Sequence, residues 1–293
     1  RPWSSGGCPG CGRARFSQIC CAAAAADGLE SLEEHTVKSL FFAISFLAVV
    51  FVDRLWHMRK EGGMDMDIRV WMQEFVKRME AVFGEELWLI GLQGSYGRQE
   101  ATAESDIDVV VIWKTCDMET LERYAQVMAT LPEREKLCGF VSGLDELLHW
   151  DGADLLSFYY DTTPWLGSLE LLRDKITADT VQRGIHRGVC DIYHACVHNL
   201  LHEKSDAVLR EGYKSAVFVI QAIFFLRSGR YERRHVLLLQ QATGQEKEIL
   251  CRAEQLRKGE PVQLREDSMR LMQWASRWMT EMDTMGKGLV SGI

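Results

Sequence analysis

Positive charge is scarce in this chain of 293 residues: 34 lysines and arginines stand against 42 aspartates and glutamates, a formal net charge of −8. A surface of that sign repels phosphate backbones, which argues against a general nucleic-acid binder but not against a small anion held in a local site. No basic stripe interleaved with aromatics is present, so RNA tailing is disfavoured. An apolar run of roughly 20 residues, enough to span a bilayer, is also missing. The longest, SLFFAISFLAVVFV at 39–52, stops at 14 residues. It reads as a short anchor, a signal-like core or a buried helix, and it lacks a small-residue cleavage site and an adjacent basic flank. Cys8 and Cys11 have no second pair at zinc-site spacing, because Cys20-Cys21 is a poor match. Past Met64 there is no internal repeat and no low-complexity linker.

What is present suits one large or two ordinary domains: 47% hydrophobic and 26% charged residues, an ordinary globular balance. Residues 1–63 form an atypical N-terminal segment without helical or strand period. Lys60-Glu61-Gly62-Gly63 can be encoded by a purine-rich run resembling a bacterial ribosome-binding site. The expectation is therefore that translation starts at Met64 or Met66, with 1–63 read-through of upstream DNA or disordered. A chain starting there has no membrane segment and is cytoplasmic, with Cys116, Cys138, Cys190, Cys196 and Cys251 reduced and mostly buried.

From Met64 the patterning is regular. Ile68, Trp71, Phe75, Met79 and Val82 recur at helical spacing until Gly84. A short apolar strand is expected at 87–92 and a β-branched strand at 106–113. Asp117 caps a helix that Pro132 stops. A third strand is expected at 137–141, a short helix at 144–150, a turn at Asp151-Gly152 and a β-prone strand at 155–160. Beyond about Ser168 the pattern is helical, at 180–201, 207–226, 232–242, 245–258 and 266–285. The fold class expected is α+β: a small mixed-sheet domain at 64–170 followed by a helical bundle at 171–293.

The chemistry-bearing stretch is LIGLQGSYGRQEATAESDIDVVVIW, residues 89–113. Side chains alternate along a strand, so Asp106 and Asp108 point the same way. Paired carboxylates raise each other's pKa and are costly unless a cation joins them. An oxygen-only ligand set suits Mg2+, which also takes substrate phosphate oxygens. Gly94 lets backbone approach a phosphate, a helix starting there would favour an anion, Ser95 adds a hydroxyl and Arg98 a charge-assisted contact. Asp-x-Asp alone is usually a solvated strand end. The order apolar strand, Gly-Ser, ten-residue spacer, Asp-x-Asp, apolar strand is far more specific.

Gly94-Ser95-Tyr96-Gly97-Arg98 followed by Ser105-Asp106-Ile107-Asp108 resembles the nucleotidyltransferase superfamily typified by DNA polymerase beta. It is most similar to the bacterial antibiotic (aminoglycoside-type) and minimal nucleotidyltransferases. Gly97 and Gln99 depart from the usual loop residues and spare the ligands. The resemblance implies a catalytic domain at 64–170 and an acceptor-binding helical domain at 171–293. It implies two Mg2+ ions on Asp106, Asp108 and a third carboxylate, with Gly94, Ser95, Arg98 and Ser105 holding the nucleotide. Asp154, opening the expected 155–160 strand, is favoured as third ligand or base, with Asp161 the alternative; strand alternation puts the two on opposite faces.

The implied activity is transfer of NMP, AMP foremost, from an NTP to a hydroxyl of a small acceptor such as an aminoglycoside-like antibiotic, releasing pyrophosphate. A protein hydroxyl in a toxin–antitoxin pair and a non-catalytic nucleotide-binding module are the alternatives. His194, His198 and His202 share a helix face and read as an interface or acceptor-cleft surface, with His186 on the same helix. Arg227, Arg230, Arg233 and Arg234 cluster at a helix end and read as a solvated face, with an anion contact the alternative. Phe218, Ile220, Ile223, Phe224 and Leu226 read as core.

Overall fold

The computed structural model describes residues 67–290, with side chains through residue 285. The N-terminal cysteines, the 39–52 apolar run and the two candidate start methionines lie outside the described residues. The chain divides into two compact units, Arg1–Phe75 and Val76–Ile293. In the first, the described part is the opening of helix α1 (Ile68–Phe83), where the Asp67 side chain accepts from the Arg69 N–H at 2.9 Å and the Trp71 and Phe75 rings stack at 5.3 Å.

In the second unit, α1 ends at Phe83, and a 3-10 turn at Gly84–Glu86 leads to β1 (Leu87–Leu92). A single helical turn, α2 (Gly94–Arg98), follows, then β2 (Ile107–Trp113). Helix α3 (Met118–Ala129) is capped by Asp117, whose side chain accepts from the Thr120 N–H at 2.8 Å. Next come β3 (Leu137–Gly143), α4 (Leu144–Leu148), α5 (Gly152–Asp161) and β4 (Thr163–Leu166). The sheet order is β3-β2-β1-β4, with β2 and β3 parallel and β1 antiparallel to both of its neighbours. Leu89, Ile90, Val109, Val110 and Val111 are all buried, so the two central strands are covered on both faces.

The strand expected at 155–160 is instead part of helix α5. Asp151 caps it by accepting from the Ala153 N–H at 3.0 Å, and Leu155, Leu156 and Phe158 are buried along it. A run of Phe-Tyr-Tyr favours strands only weakly, and a cap plus a buried helical stripe overrides it. The sheet's last strand falls just beyond, at Thr163–Leu166, with Pro164 on the sheet edge.

The rest is helical: α6 (Ala178–His198) continuing into a π turn at Asn199–Glu203, α7 (Asp206–Ser228), α8 (His235–Gln241), α9 (Gly244–Arg257) and α10 (Leu264–Val290). Helices α7 and α10 both pack along α6. Their shared core holds Ile185, Val189, Tyr213, Ile220, Ile223, Trp274 and Trp278, and Phe224 and Leu226 lie half-buried against it. The architecture is the expected α+β one, a small mixed sheet with a helical bundle after it. Among the described residues no helix is long and apolar enough to cross a membrane. Of the five later cysteines only Cys196 is buried; Cys190 and Cys251 are exposed, and Cys116 and Cys138 are intermediate.

Candidate active site

The site forms where β1 and β2 end beside each other. Leu92 pairs with Val109, and the Gln93 N–H donates to the Asp108 carbonyl at 2.8 Å, which fixes the Gly94 turn against the start of β2. Gly94 has φ +64°, a region that favours glycine. A Cβ on Gly94 would lie 1.8 Å from Asp108 Oδ2. The turn and the carboxylate are therefore in contact, and only glycine fits between them. Asp106 stands exposed just before β2, and Asp108 is half-buried one residue inside it.

Burial pushes the Asp108 carboxyl above its usual range, and the neighbouring Asp106 charge pushes it further; Lys214 and Arg98 pull the other way. Both effects favour a cation at the pair. Lys214, on α7, is an exposed charge between buried Tyr213 and Ser215, and its field reaches Asp108 from the helical bundle. The α2 helix is only five residues long. Any anion held there is held by local amides and the Ser95 hydroxyl rather than by a macrodipole.

The other expected residues are placed as follows. Ser105 closes the loop ahead of β2: its Oγ accepts from the Thr102 N–H at 2.9 Å, and its own N–H donates to the Thr102 carbonyl at 3.0 Å. Arg98 is largely buried, its Nε 3.5 Å from Glu100 Oε2. Asp154 lies in the first turn of α5, not on a strand, and Arg187 of α6 contacts its carboxylate. Burial raises its pKa against the opposing Arg187 charge.

Asp161 ends the same helix. Burial pushes it up to about 6, against the charges of Arg98 and Arg233 and the Tyr231 hydroxyl, which donates to Oδ2 at 3.0 Å. Seven residues of helix make two turns, so Asp154 and Asp161 share a face instead of taking opposite ones. Among the described residues no group of three His, Cys, Asp or Glu side chains is arranged to hold a metal. The structure thus brings Gly94 and Asp108 together, with Asp106 beside them, and gives Asp154 and Asp161 their own partners. The strand next to Asp108 offers no carboxylate, since Cys138 is its register partner on β3.

His194, His198 and His202 form an exposed row with ring centroids 6.2 and 4.8 Å apart, and His198 pairs with Glu203. The arginine cluster is not wholly a solvated face. Arg233 turns inward, donating to the Asp161 carbonyl at 2.8 Å and to Thr163 Oγ1 at 3.0 Å. Sequence reading missed Glu100 and Lys214, and took Arg233 for part of a solvated face. For Lys214 a signal existed: it is the one lysine of α7, just ahead of that helix's apolar run from Ala216.

No protein-family model and no curated protein sequence matches the chain. Several solved structures are similar to it, three of which follow. One is a spectinomycin adenyltransferase from Enterococcus faecialis with ATP and spectinomycin: 11% identity over 72% of this chain and 99% of that one, TM-score 0.47. Another is a toxin–antitoxin with AMP-PNP: 17% identity over 37% of this chain and 82% of that one, TM-score 0.27. The third is a nucleotidyltransferase-like protein from Exiguobacterium sibiricum 255-15: 11% identity over 73% of this chain and 75% of that one, TM-score 0.29.

Proposed function

We propose that the chain is a Mg2+-dependent nucleotidyltransferase that moves NMP, with AMP foremost, from an NTP to a hydroxyl of a small cationic acceptor of the aminoglycoside kind, releasing pyrophosphate. The observation that carries this reading is the contact between the Gly94 turn and the Asp108 carboxylate. It makes a phosphate cradle and a cation site one place.

The donor set fits the metal. Asp106 and Asp108 are oxygen ligands, and burial drives Asp108 to seek a positive neighbour. They would hold Mg2+, with water and phosphate oxygens completing its shell. Bound there, the ion would neutralise charge on the attacking and leaving oxygens. The chain's own groups do the positioning. The amides of the Gly94 turn and the Ser95 hydroxyl orient the triphosphate, and Lys214 adds positive charge from the bundle side. The acceptor oxygen attacks the α-phosphorus, its new P–O bond forming as the bond to the pyrophosphate oxygen breaks.

We assign the base role to Asp154 over Asp161. Its side chain is about one-third exposed, while Asp161 is buried. For Asp154 to accept the hydroxyl proton, Arg187, which contacts its carboxylate, must release it. The test is pyrophosphate release by the full chain with MgATP or MgGTP against a panel of aminoglycoside and aminocyclitol acceptors. Acceptor-dependent release supports the reading. Transfer of label to a protein partner alone would replace the small acceptor with a protein hydroxyl, and nucleotide binding with no transfer to either would leave a binding module.

A further inference from the structure

The connection between α7 and α8 contacts β4 and the back of the Gly94–Arg98 turn through Arg233. Gln221 of α7 holds that connection by donating to the Glu232 and Arg233 carbonyls at 3.0 and 3.3 Å. Tyr231 stacks on Tyr160 at 4.9 Å and donates to Asp161. Arg233 bridges Asp161 and Thr163, and Thr163 is the β4 residue paired with Leu92 at the end of β1. A Cβ on Gly97, inside the turn, would lie 3.2 Å from Arg233 Nη2.

From the other side, Glu100 follows the turn and accepts from the Val236 N–H at 3.2 Å, in the first turn of α8. It also lies 3.5 Å from Arg98 and 3.8 Å from His235. Both Arg98 and Glu100 side chains are nearly buried. A guanidinium and a carboxylate fixed in low dielectric transmit displacement, because leaving either unpaired is costly.

We infer that the 229–236 segment is a strut through which the helical bundle sets the position of the Gly94–Arg98 turn, with Arg233 and Glu100 as positioning residues for nucleotide binding. The inference rests on the nucleotide-binding reading of that turn. It couples the bundle, where an acceptor would sit, to the triphosphate cradle.

Hydrogen–deuterium exchange on the full chain with and without Mg·AMP-PNP tests it, on wild type, Arg233→Ala and Arg233→Lys, with the thermal midpoint and nucleotide Kd of each. In wild type, nucleotide should slow exchange in 91–100 and also in 229–238. In Arg233→Ala the Kd should rise about tenfold and the response at 229–238 should vanish, with Arg233→Lys recovering part of both. A purely structural arginine would lower the midpoint without removing that distant response. Protection confined to 91–100 in wild type overturns the strut whether or not the variants fold, as does an unchanged Kd in a folded Arg233→Ala. Absence of protection even at 91–100 overturns the nucleotide reading itself and the strut with it.

Discussion

Gly94 and Asp108 show how a site can depend on the absence of one methyl group. The backbone there has positive φ, and a Cβ would occupy the space of the Asp108 carboxylate. Gly94→Ala should therefore lower pyrophosphate release by about 100-fold or more, since displacement of roughly 1 Å at a reacting centre costs that much. The thermal midpoint should drop by only several degrees, in line with strain of about 1–3 kcal/mol. Near-wild-type turnover in Gly94→Ala would show that the turn and the pair do not act together. At this scale the sequence was readable: the Gly-Ser turn and the aspartates are adjacent in pattern as they are in space. The roles of Glu100 and Arg233 were not readable, because each acts through a residue distant in sequence: Glu100 through the Val236 N–H, and Arg233 through the Asp161 carbonyl at the end of α5.

At the scale of elements, strands β1 to β3 and the long helices followed from periodicity and caps, and α5 did not. Its residues 155–160 combine aromatic β-propensity with helical burial, and the deciding feature is the Asp151 cap. Asp151→Ala should cost about 1 kcal/mol of unfolding free energy, read by urea titration; no change would mean the cap does not decide the element.

The bundle has its own buried anchor. Asp267 accepts from Arg252 at 2.8 and 2.9 Å, from Arg270 at 3.0 Å and from the Gln263 N–H at 2.8 Å, and these partners hold its pKa below the ordinary range although burial alone would raise it. A carboxyl depressed in the folded state contributes stability above its unfolded pKa that is lost as pH falls through the folded value. Asp161 has the opposite sign. Its folded value near 6 lies above 3.8, so the folded state binds the extra proton and gains stability as pH falls from about 6 to 4. In urea unfolding across pH 3–7, Asp161→Asn should remove the gain between 6 and 4. Asp267→Asn should destabilise by about 3 kcal/mol at pH 7 and by less at pH 3. Parallel curves for wild type and both variants would contradict these assignments.

For the whole molecule, the net charge of −8 bears on the partner rather than on the fold. A cationic acceptor is drawn to this surface and an NTP is not. Raising ionic strength from about 50 to 300 mM should therefore raise the acceptor KM more than the nucleotide KM, since long-range attraction is screened beyond roughly 10 Å at 0.1 M. Equal shifts would argue for an uncharged acceptor.

The central claim is that Asp106, Asp108 and the Gly94 turn form one Mg·NTP site. The most direct measurement is calorimetric titration of MgATP and MgGTP into the full chain, beside Asp106→Asn/Asp108→Asn and beside the wild type in EDTA. Magnesium-dependent binding of at least one nucleotide by wild type, lost in the double variant with its fold intact, is the predicted result. Equal binding by wild type and double variant, or none by the folded wild type, would contradict it.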